Sequence, residues 1–195
     1  MPIVYPNGED GYVTSSQATW SAARDAITGT GFSSSVSGAS DVVKAAAILT
    51  RGGGTSFAVI RVFMYFDFRL ILNVPESATL NIYGYVNNSA DVFVVRATDT
   101  IGSLGASDFD SIDGFSTLGV DNESNVTKYS DEITSWSTSG YNVIPLNATA
   151  LKSMVGTTFY ICLIESVHDL RNVQPSASYR NGMYFANSAG TSKDP

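Results

Sequence analysis

The one histidine of this sequence, His168, is followed directly by Asp169 and comes shortly after the one cysteine, Cys162. A thiol or hydroxyl, an imidazole and a carboxylate could form a nucleophile, a base and an orienting acid. Cys162, however, stands in the apolar run FYICLI, which predicts a buried strand, and no G-x-S-x-G turn presents a serine. We therefore expect no catalytic residues, so that the protein is not an enzyme. A hydrolase would need His168 within hydrogen-bonding distance of a serine or cysteine in a pocket.

The segment DFDSIDG, residues 108–114, carries carboxylates of the kind that calcium prefers. It is not an EF-hand, because Ile112 stands at a ligand position and no glutamate occupies the twelfth position of the loop. A looser calcium site on Asp108, Asp110 and Asp113, or on Asp121 and Glu123, stays open against the alternative of a solvated acidic loop. We expect no other cofactor, since one histidine and one cysteine exclude a zinc site of soft ligands in practice.

A tyrosine pair could bind a ligand through its rings. In ATLNIYGYV, residues 78–86, polar and apolar residues alternate, so Tyr83 and Tyr85 fall beside Asn81 on the outer face of an antiparallel strand. Aromatic rings can stack on sugar rings, and amides can hydrogen-bond sugar hydroxyls. Tyr83, Tyr85 and Asn81, together with Trp136, are therefore candidate ligand-binding residues for a surface glycan. In the alternative, another strand, the acidic segment described below or a neighbouring subunit covers this face.

The elements that position these residues are mostly strands. Charged residues make up only 15% of the 195 residues, whereas Ser, Thr, Asn and Gly are abundant, which favours short strands joined by polar turns. β-branched and aromatic residues mark strands at 57–68, 78–86, 91–98, 141–146, 157–166 and 177–186. We predict an all-β fold, an antiparallel β-sandwich or jelly roll. Asn87 and Asn88 favour a hairpin between the second and third of these strands.

Two short peripheral helices are also predicted. One spans Thr19 to Ile27, with Thr19 as its cap and Trp20, Ala23 and Ile27 turned inward. The other follows the cap Asn147, directs Leu151 and Met154 or Val155 inward, and ends at Gly156. The length suits one domain over residues 1–195, with an N-terminal arm at 1–56 and the main sandwich at 57–195.

The net charge of -7 is concentrated in residues 99–132, here called the acidic segment, where eight acids stand against Lys128 alone. Because no basic surface is visible, we expect neither nucleic acid nor a membrane as a partner. The N-terminal residues also lack the pattern of a signal peptide. Regularly spaced apolar residues predict that the acidic segment packs onto the sandwich and leaves its carboxylates in water: Ile101, Leu104, Phe109, Ile112, Phe115, Leu118 and Val120.

The run RVFMYFDF, residues 61–68, is apolar on both sides and predicts a central strand that is covered on both faces. Arg61 and Asp67 fall on one face of this strand, about 20 Å apart at roughly 3.3 Å per residue, and cannot pair with each other. We expect both to be structural, at opposite rims of the sandwich. Arg61 should meet an acid, and Asp67 should meet backbone N–H groups of the following turn.

The order of the motifs resembles a family of jelly-roll modules found in bacteriophage virion proteins and, more distantly, DNRLRE-type repeat proteins related to carbohydrate-binding modules. The resemblance covers nearly the whole chain, from DGYV and TWSAARDA through LGASDFDSI and YNVIPLNATALKSM to TFYICLIES and GTSKDP. Its most specific part is the strand with Arg61, Phe63, Phe66 and Asp67, followed by Pro75 and ATL.

The resemblance implies a structural protein of a phage particle that decorates the capsid or forms part of a fibre or tail appendage. Such a protein would be assembled in the host cytoplasm and would act through multivalent contacts with other virion proteins or copies of itself. The alternative is a carbohydrate-binding module or receptor-binding head that recognises surface glycans.

The sequence departs from the family pattern in two places. The apolar FRLILNVP replaces a short Ser- or Thr-rich turn after Asp67, so this turn is expected to extend the strand or to touch a partner. The family usually continues with one more strand after the point matched by KDP. We therefore expect an open sheet edge that a strand from another chain completes, unless the N-terminal residues cover it.

Overall fold

The computed structural model describes residues 3–6, 10–34, 39–40, 43–49, 54–98 and 103–185. Strands dominate these ranges: β1 (Gly11–Gln17), β2 (Gly31–Ser34), β3 (Ala39–Ser40), β4 (Lys44–Leu49), β5 (Thr55–Asp67), β6 (Thr79–Asn88), β7 (Val92–Arg96), β8 (Tyr141–Pro145), β9 (Thr158–Glu165) and β10 (Ser178–Tyr184). The other elements are α1 (Trp20–Arg24), α2 (Ala148–Ser153), a 3-10 helix (Ala106–Asp110) and a π-helical turn (Ser166–Leu170). The fold is all-β with short helices, as the sequence predicts.

The first sheet has the strand order β2-β1-β5-β9-β7, and every neighbouring pair is antiparallel. Its centre is the long strand β5, whose β-branched and aromatic residues suit a strand with neighbours on both sides. β1 lies along one edge of β5, from residue 57 to residue 63. On the opposite edge of β5, β9 pairs with the C-terminal half of the strand, residues 62–67.

The second sheet has the order β4-β10-β6-β8, again antiparallel throughout, and β3 pairs with the end of β10. β4 also pairs with residues 55–60 of β5, so the two sheets are joined along this edge. The result is a sandwich in which β5 contributes its N-terminal half to the junction and its C-terminal half to the first sheet alone.

Alternation along β5 and β9 divides the buried side chains into two cores, one on each face of the first sheet. The inner core lies between the sheets and contains Val62, Met64 and Phe66 of β5. The outer core contains Phe57, Val59 and Phe63 of the same strand and is covered by α1, the acidic segment and the π-helical turn. The prediction that RVFMYFDF forms a central strand covered on both faces is confirmed.

The six predicted strands are all present, within about two residues at each end. Segment 1–56 was expected to be an arm with one short helix, but it also contributes β1 to β4 to the two sheets. These strands are rich in Ser, Ala and Gly, and they form where β5 and β10 offer backbone partners.

This arrangement changes the expectation of an open edge at the last strand. β10 is paired on both sides, with β6 along one edge and with β3 and β4 along the other. β3 and β4, from the N-terminal segment, therefore occupy the edge of β10. The prediction that a strand from another chain completes this edge is wrong for β10. Residues 186–195, which the same prediction invoked, lie outside the described part of the chain.

Both predicted helices exist, but the first is shorter than expected. α1 begins after the cap Thr19, whose hydroxyl accepts from Ala22 N, and it ends at Arg24. Trp20 and Ala23 are buried as predicted, whereas Ile27 is 68% exposed because the helix has already ended. α2 follows the cap Asn147, and Met154 is buried beneath it.

The acidic segment packs against the sandwich along the edge of β7 and across the outer core. Backbone bonds join Val92 and Ile133 in both directions, and Tyr129 N donates to Val94 O. Leu104, Phe109 and Ile112 are buried, as predicted. Leu118 and Val120 are exposed instead, although the buried Arg24 side chain donates to Val120 O. Ile101 lies outside the described residues.

The hairpin predicted at Asn87 and Asn88 is absent. β6 pairs with β8 and β10, whereas β7 pairs with β9, so the connection crosses from one sheet to the other. The residue with left-handed backbone is Ser89 (φ 55°), just after β6. Among the described residues, no helix has the length and apolar character needed to cross a lipid bilayer.

Candidate functional site

A cluster of four tyrosines lies on the outer face of the second sheet and is here called the tyrosine face: Tyr83 and Tyr85 of β6, Tyr141 of β8 and Tyr184 of β10. The alternation of β6 places Leu80 and Ile82 in the inner core and the tyrosines outside. The ring of Tyr83 stands edge-on to those of Tyr141 and Tyr184, at centroid distances of 5.2 and 5.6 Å. This perpendicular packing is favourable for aromatic pairs.

The tyrosine face is open to solvent in the described structure. Tyr85 is 48% exposed and Tyr141 is 43% exposed, while Tyr83 and Tyr184 are half-buried between their neighbours. Tyr83 donates its hydroxyl to Ser139 O, which ties the face to the turn before β8. The rings therefore form a fixed aromatic surface, of the kind that can stack on a sugar ring or a flat apolar group.

Gly84 allows the turn before β8 to approach β6. Its N–H donates to Gly140 O, and a Cβ atom at this position would lie 1.7 Å from Ser137 O. Asn142 bonds both Ser137 N and Ser137 O, which closes the same turn. The sequence singled out the tyrosines by alternation but gave no sign that a glycine is needed to position their neighbours.

The structure does not place all four candidate ligand residues together at the surface. Asn81 is half-buried on the tyrosine-bearing side of β6, opposite Val143 of β8. Trp136 is only 6% exposed, packs in the inner core, and donates its indole N–H to Gly182 O. Trp136 is therefore corrected from a ligand candidate to a core residue. Tyr141 and Tyr184 also belong to this face. The sequence did not predict them, because no local pattern shows that β6, β8 and β10 share one face.

Two of the three acids proposed to bind calcium hydrogen-bond to different parts of the fold. Asp108 is buried and accepts from Gly105 N at the start of the 3-10 helix. Asp113 accepts from the hydroxyl of Thr127, 2.7 Å away. Burial raises the pKa of Asp110. Within the described residues, no group of three acids, histidines or cysteines is close enough to hold a metal ion.

Arg61 lies at the centre of a buried cluster rather than at the rim where it was expected. Its Nε and Nη2 donate to the two carboxylate oxygens of Asp169, at 2.8 and 2.7 Å. Nη1 donates to Phe109 O, and the guanidinium carbon lies 4.1 and 4.2 Å from the ring centres of Phe109 and Phe115. The expected acid partner is thus Asp169, and the pair joins β5 to the π-helical turn and the acidic segment.

Asp67, at the other end of the run, accepts from the backbone N–H of Arg69, as predicted. It also accepts from the Arg69 side chain at 2.6 and 2.9 Å. These hydrogen bonds lower the pKa of Asp67 to about 2. The pair closes the turn that follows β5.

His168 and Cys162 make contacts that hold the fold. The His168 ring lies 4.2 Å from that of Tyr179 between centroids, and its Nδ1 donates to Val173 O at 2.7 Å. Cys162 is buried in the outer core, and burial raises the pKa of its thiol. Glu165 accepts from the backbone N–H groups of Val167, His168 and Asp169 and so caps the π-helical turn.

An exposed apolar loop follows β5, at residues 68–78, where the sequence left open an extended strand or a partner contact. β5 ends at Asp67, and the residues that follow are not a strand. Leu70 is 93% exposed, Leu72 78% and Val74 53%. The backbone is nevertheless fixed, because Phe68 N donates to Thr157 O and Gly156 N donates to Ile71 O.

No model of a known protein family matches this chain. A search of curated protein sequences also found no match.

Proposed function

We propose that this protein is a non-enzymatic structural component of a phage particle, which decorates the capsid or belongs to a fibre or tail appendage and acts through multivalent protein–protein contacts. The family assignment rests on the sequence resemblance alone. The single structural observation in favour is the apolar loop at residues 68–78. Solvent-exposed leucines on a fixed backbone are expected where a partner covers them.

The loop is suited to binding because it needs little ordering. The Asp67–Arg69 pair and the backbone bonds at Phe68 and Ile71 already hold its shape. A contact formed by such a loop loses less conformational entropy than one formed by a flexible segment. Behind the loop, an apolar cavity of about 130 Å³ reaches Phe66, Leu80 and Met154 and could take an apolar side chain from the partner.

The test is incorporation into particles. We expect an antibody raised against the chain to label intact phage particles from a culture that produces it, and the chain to sediment with them in a density gradient. A triple variant, Leu70→Ser, Leu72→Ser and Val74→Ser, should be incorporated at less than about a tenth of the normal level, since the interface would lose most of its apolar area.

The matched control is Ile27→Ser with Leu118→Ser, which removes two exposed apolar side chains elsewhere on the surface. This variant should enter particles normally. Absence of the chain from purified particles would contradict the proposed function, whereas normal incorporation of the triple loop variant would contradict only the role of the loop.

The tyrosine face favours a second candidate, a module that binds surface glycans. Its support is the pair of exposed rings, Tyr85 and Tyr141, held beside the polar Asn81. On a glycan array, binding should be lost with Tyr85→Ala and kept with Tyr5→Ala, which removes a somewhat more exposed tyrosine from another part of the chain. Equal binding by both variants, or no binding by the unmodified protein, would count against this candidate.

A further inference from the structure

The outer edge of β8 is the feature from which we draw one inference beyond the proposed function. β8 pairs with β6 along one edge, and no other strand in the described part of the chain pairs with its second edge. An exposed strand edge is a template for a further strand, and proteins normally blunt or cover it. The question is what this edge can still bind.

The register shows which backbone groups of β8 face outward. Gly84 N donates to Gly140 O, and Leu146 N donates to Ala78 O. Because bonded pairs alternate along an antiparallel ladder, the backbone groups of the even-numbered residues of β8 face β6. The N–H and C=O of Val143 therefore point away from β6, and no hydrogen bond to either is made within the described residues. Pro145 occupies the next outward position and has no N–H to offer.

A groove of about 500 Å³ runs beside this edge, between β8 and residues 130–137. Both ends of its far wall are fixed. Asn147 N donates to Tyr129 O at one end, and the Asn142 side chain bonds the backbone of Ser137 at the other. The space beside Val143 is therefore formed before any ligand arrives, which lowers the cost of binding.

The groove is acidic. Asp131 and Glu132 lie on its far wall, and its lining contains no lysine or arginine. Glu132 already bonds Arg171 and Ser166, whereas Asp131 is exposed to solvent. An incoming segment with positive side chains would be favoured by this potential, and an acidic one would be repelled.

We infer that the β8 edge binds an extended segment of another protein that carries lysine or arginine. The segment adds as a strand beside β8, exchanges backbone hydrogen bonds with Val143, and directs alternate side chains towards Asp131. β8 has five residues, so a strand of about the same length covers it. This inference does not rest on the proposed function, because it concerns the outer edge of β8 and not the apolar loop, and it needs no particle.

The test uses a fluorescent peptide of alternating Lys and Val, six residues long, and measures anisotropy with the full chain. Val143→Pro removes the outward N–H without removing a bond to β6, and proline is tolerated on strand edges, as at Pro145. We expect Val143→Pro to weaken binding by about five- to tenfold, and Val143→Thr, which keeps the N–H, to bind normally. Asp131→Asn should weaken binding by about two- to fivefold at low salt.

Two controls make the result decisive. An alternating Glu and Val peptide should bind far more weakly than the basic one. Trp136 fluorescence, isolated by Trp20→Phe, should confirm that Val143→Pro keeps its inner core. The inference is overturned if the basic peptide does not bind at millimolar concentration, or if Val143→Pro binds it as well as Val143→Thr does. In the latter case the peptide is held by charge alone.

Discussion

At the scale of single residues, Arg61 shows how a buried charge can hold several elements together. The guanidinium is fully buried and donates four hydrogen bonds, two of them to Asp169. Replacing it leaves the buried carboxylate of Asp169 without its main partner. We expect Arg61→Met to lower the free energy of unfolding by about 3–5 kcal/mol, measured by urea denaturation.

The exposed pair in the same run provides the comparison. Arg69→Gln removes the partner of Asp67 at the surface, where water screens the charges, so its urea midpoint should shift far less than that of Arg61→Met. The double variant Arg61→Met with Asp169→Leu should lose less stability than the two single variants added together, because no unpaired charge remains. A loss equal to the sum would show that the pair is not coupled.

Glu165 gives a prediction on pH. Burial outweighs its three N–H bonds and raises its pKa from about 4.5 to about 7. Between these values the folded protein holds more protons than the unfolded chain, so the free energy of unfolding should fall as pH rises from about 4.5 to 7 and then level off. The expected fall attributable to this residue is about 1–3 kcal/mol.

Urea midpoints measured across this range, for the unmodified protein and for Glu165→Gln, test the assignment. The variant cannot ionise at this position, so its profile should be flatter between pH 4.5 and 7. Glu123 and Glu132 act in a different window, because their lowered pKa values remove stability only as the pH falls below about 4.5. Parallel profiles for variant and parent would refute the role of Glu165.

At the scale of elements, the acidic segment is attached to the sandwich by arginines. Arg171, just after the π-helical turn, bonds both carboxylate oxygens of Glu123 and both of Glu132. These bonds raise the pKa of Arg171 and lower those of both acids. A cation shared by two carboxylates holds together a segment that would otherwise repel itself.

Removing this contact should loosen the segment without unfolding the protein. In Arg171→Ala, amide hydrogen exchange in residues 121–133 should be about fivefold faster, corresponding to about 1 kcal/mol, while β5 and β9 stay protected. Lys128→Ala is the matched control, since Lys128 meets Glu123 only at 3.5 Å. Equal acceleration in both variants would mean that general charge, not the Arg171 contact, holds the segment.

The elements that the sequence predicted best are those whose own residues favour strands. β5 and β9 are rich in Phe, Val, Ile and Tyr, and the two-sided apolar pattern of β5 predicted a central strand. β4, with the sequence KAAAIL, carries no such signal, and it is a strand because β5 and β10 lie on either side of it. The hairpin at Asn87 failed because a turn signal does not show to which sheet the next strand belongs.

The candidate site was predicted in part for a similar reason. Alternation within β6 is a local property, so the outward direction of Tyr83 and Tyr85 could be predicted. That Tyr141 and Tyr184 join them depends on which strands flank β6, and a single sequence does not contain this information. The prediction for Trp136 was wrong, because its ring packs in the inner core and its indole N–H donates to Gly182 O of β10.

At the scale of the whole molecule, the two cores share the strands β5, β7 and β9 and should unfold together. Each core contains one of the two tryptophans, Trp20 in the outer core and Trp136 in the inner core. Trp20→Phe and Trp136→Phe each leave one tryptophan as a probe of one core. In each variant, the fluorescence of that tryptophan and the far-UV circular dichroism should give the same urea midpoint. Separate midpoints within either variant would show that the cores unfold independently.

β6 fixes the distance between the apolar loop and Tyr85 of the tyrosine face. The loop ends where β6 begins, and Tyr85 lies six residues further along that strand, about 20 Å away at roughly 3.3 Å per residue. The rigid strand between them fixes this separation. A molecule bound to a surface through this loop would therefore hold Tyr85 at most about 20 Å from the point of contact, close enough for one extended partner to reach both the loop and the tyrosine face.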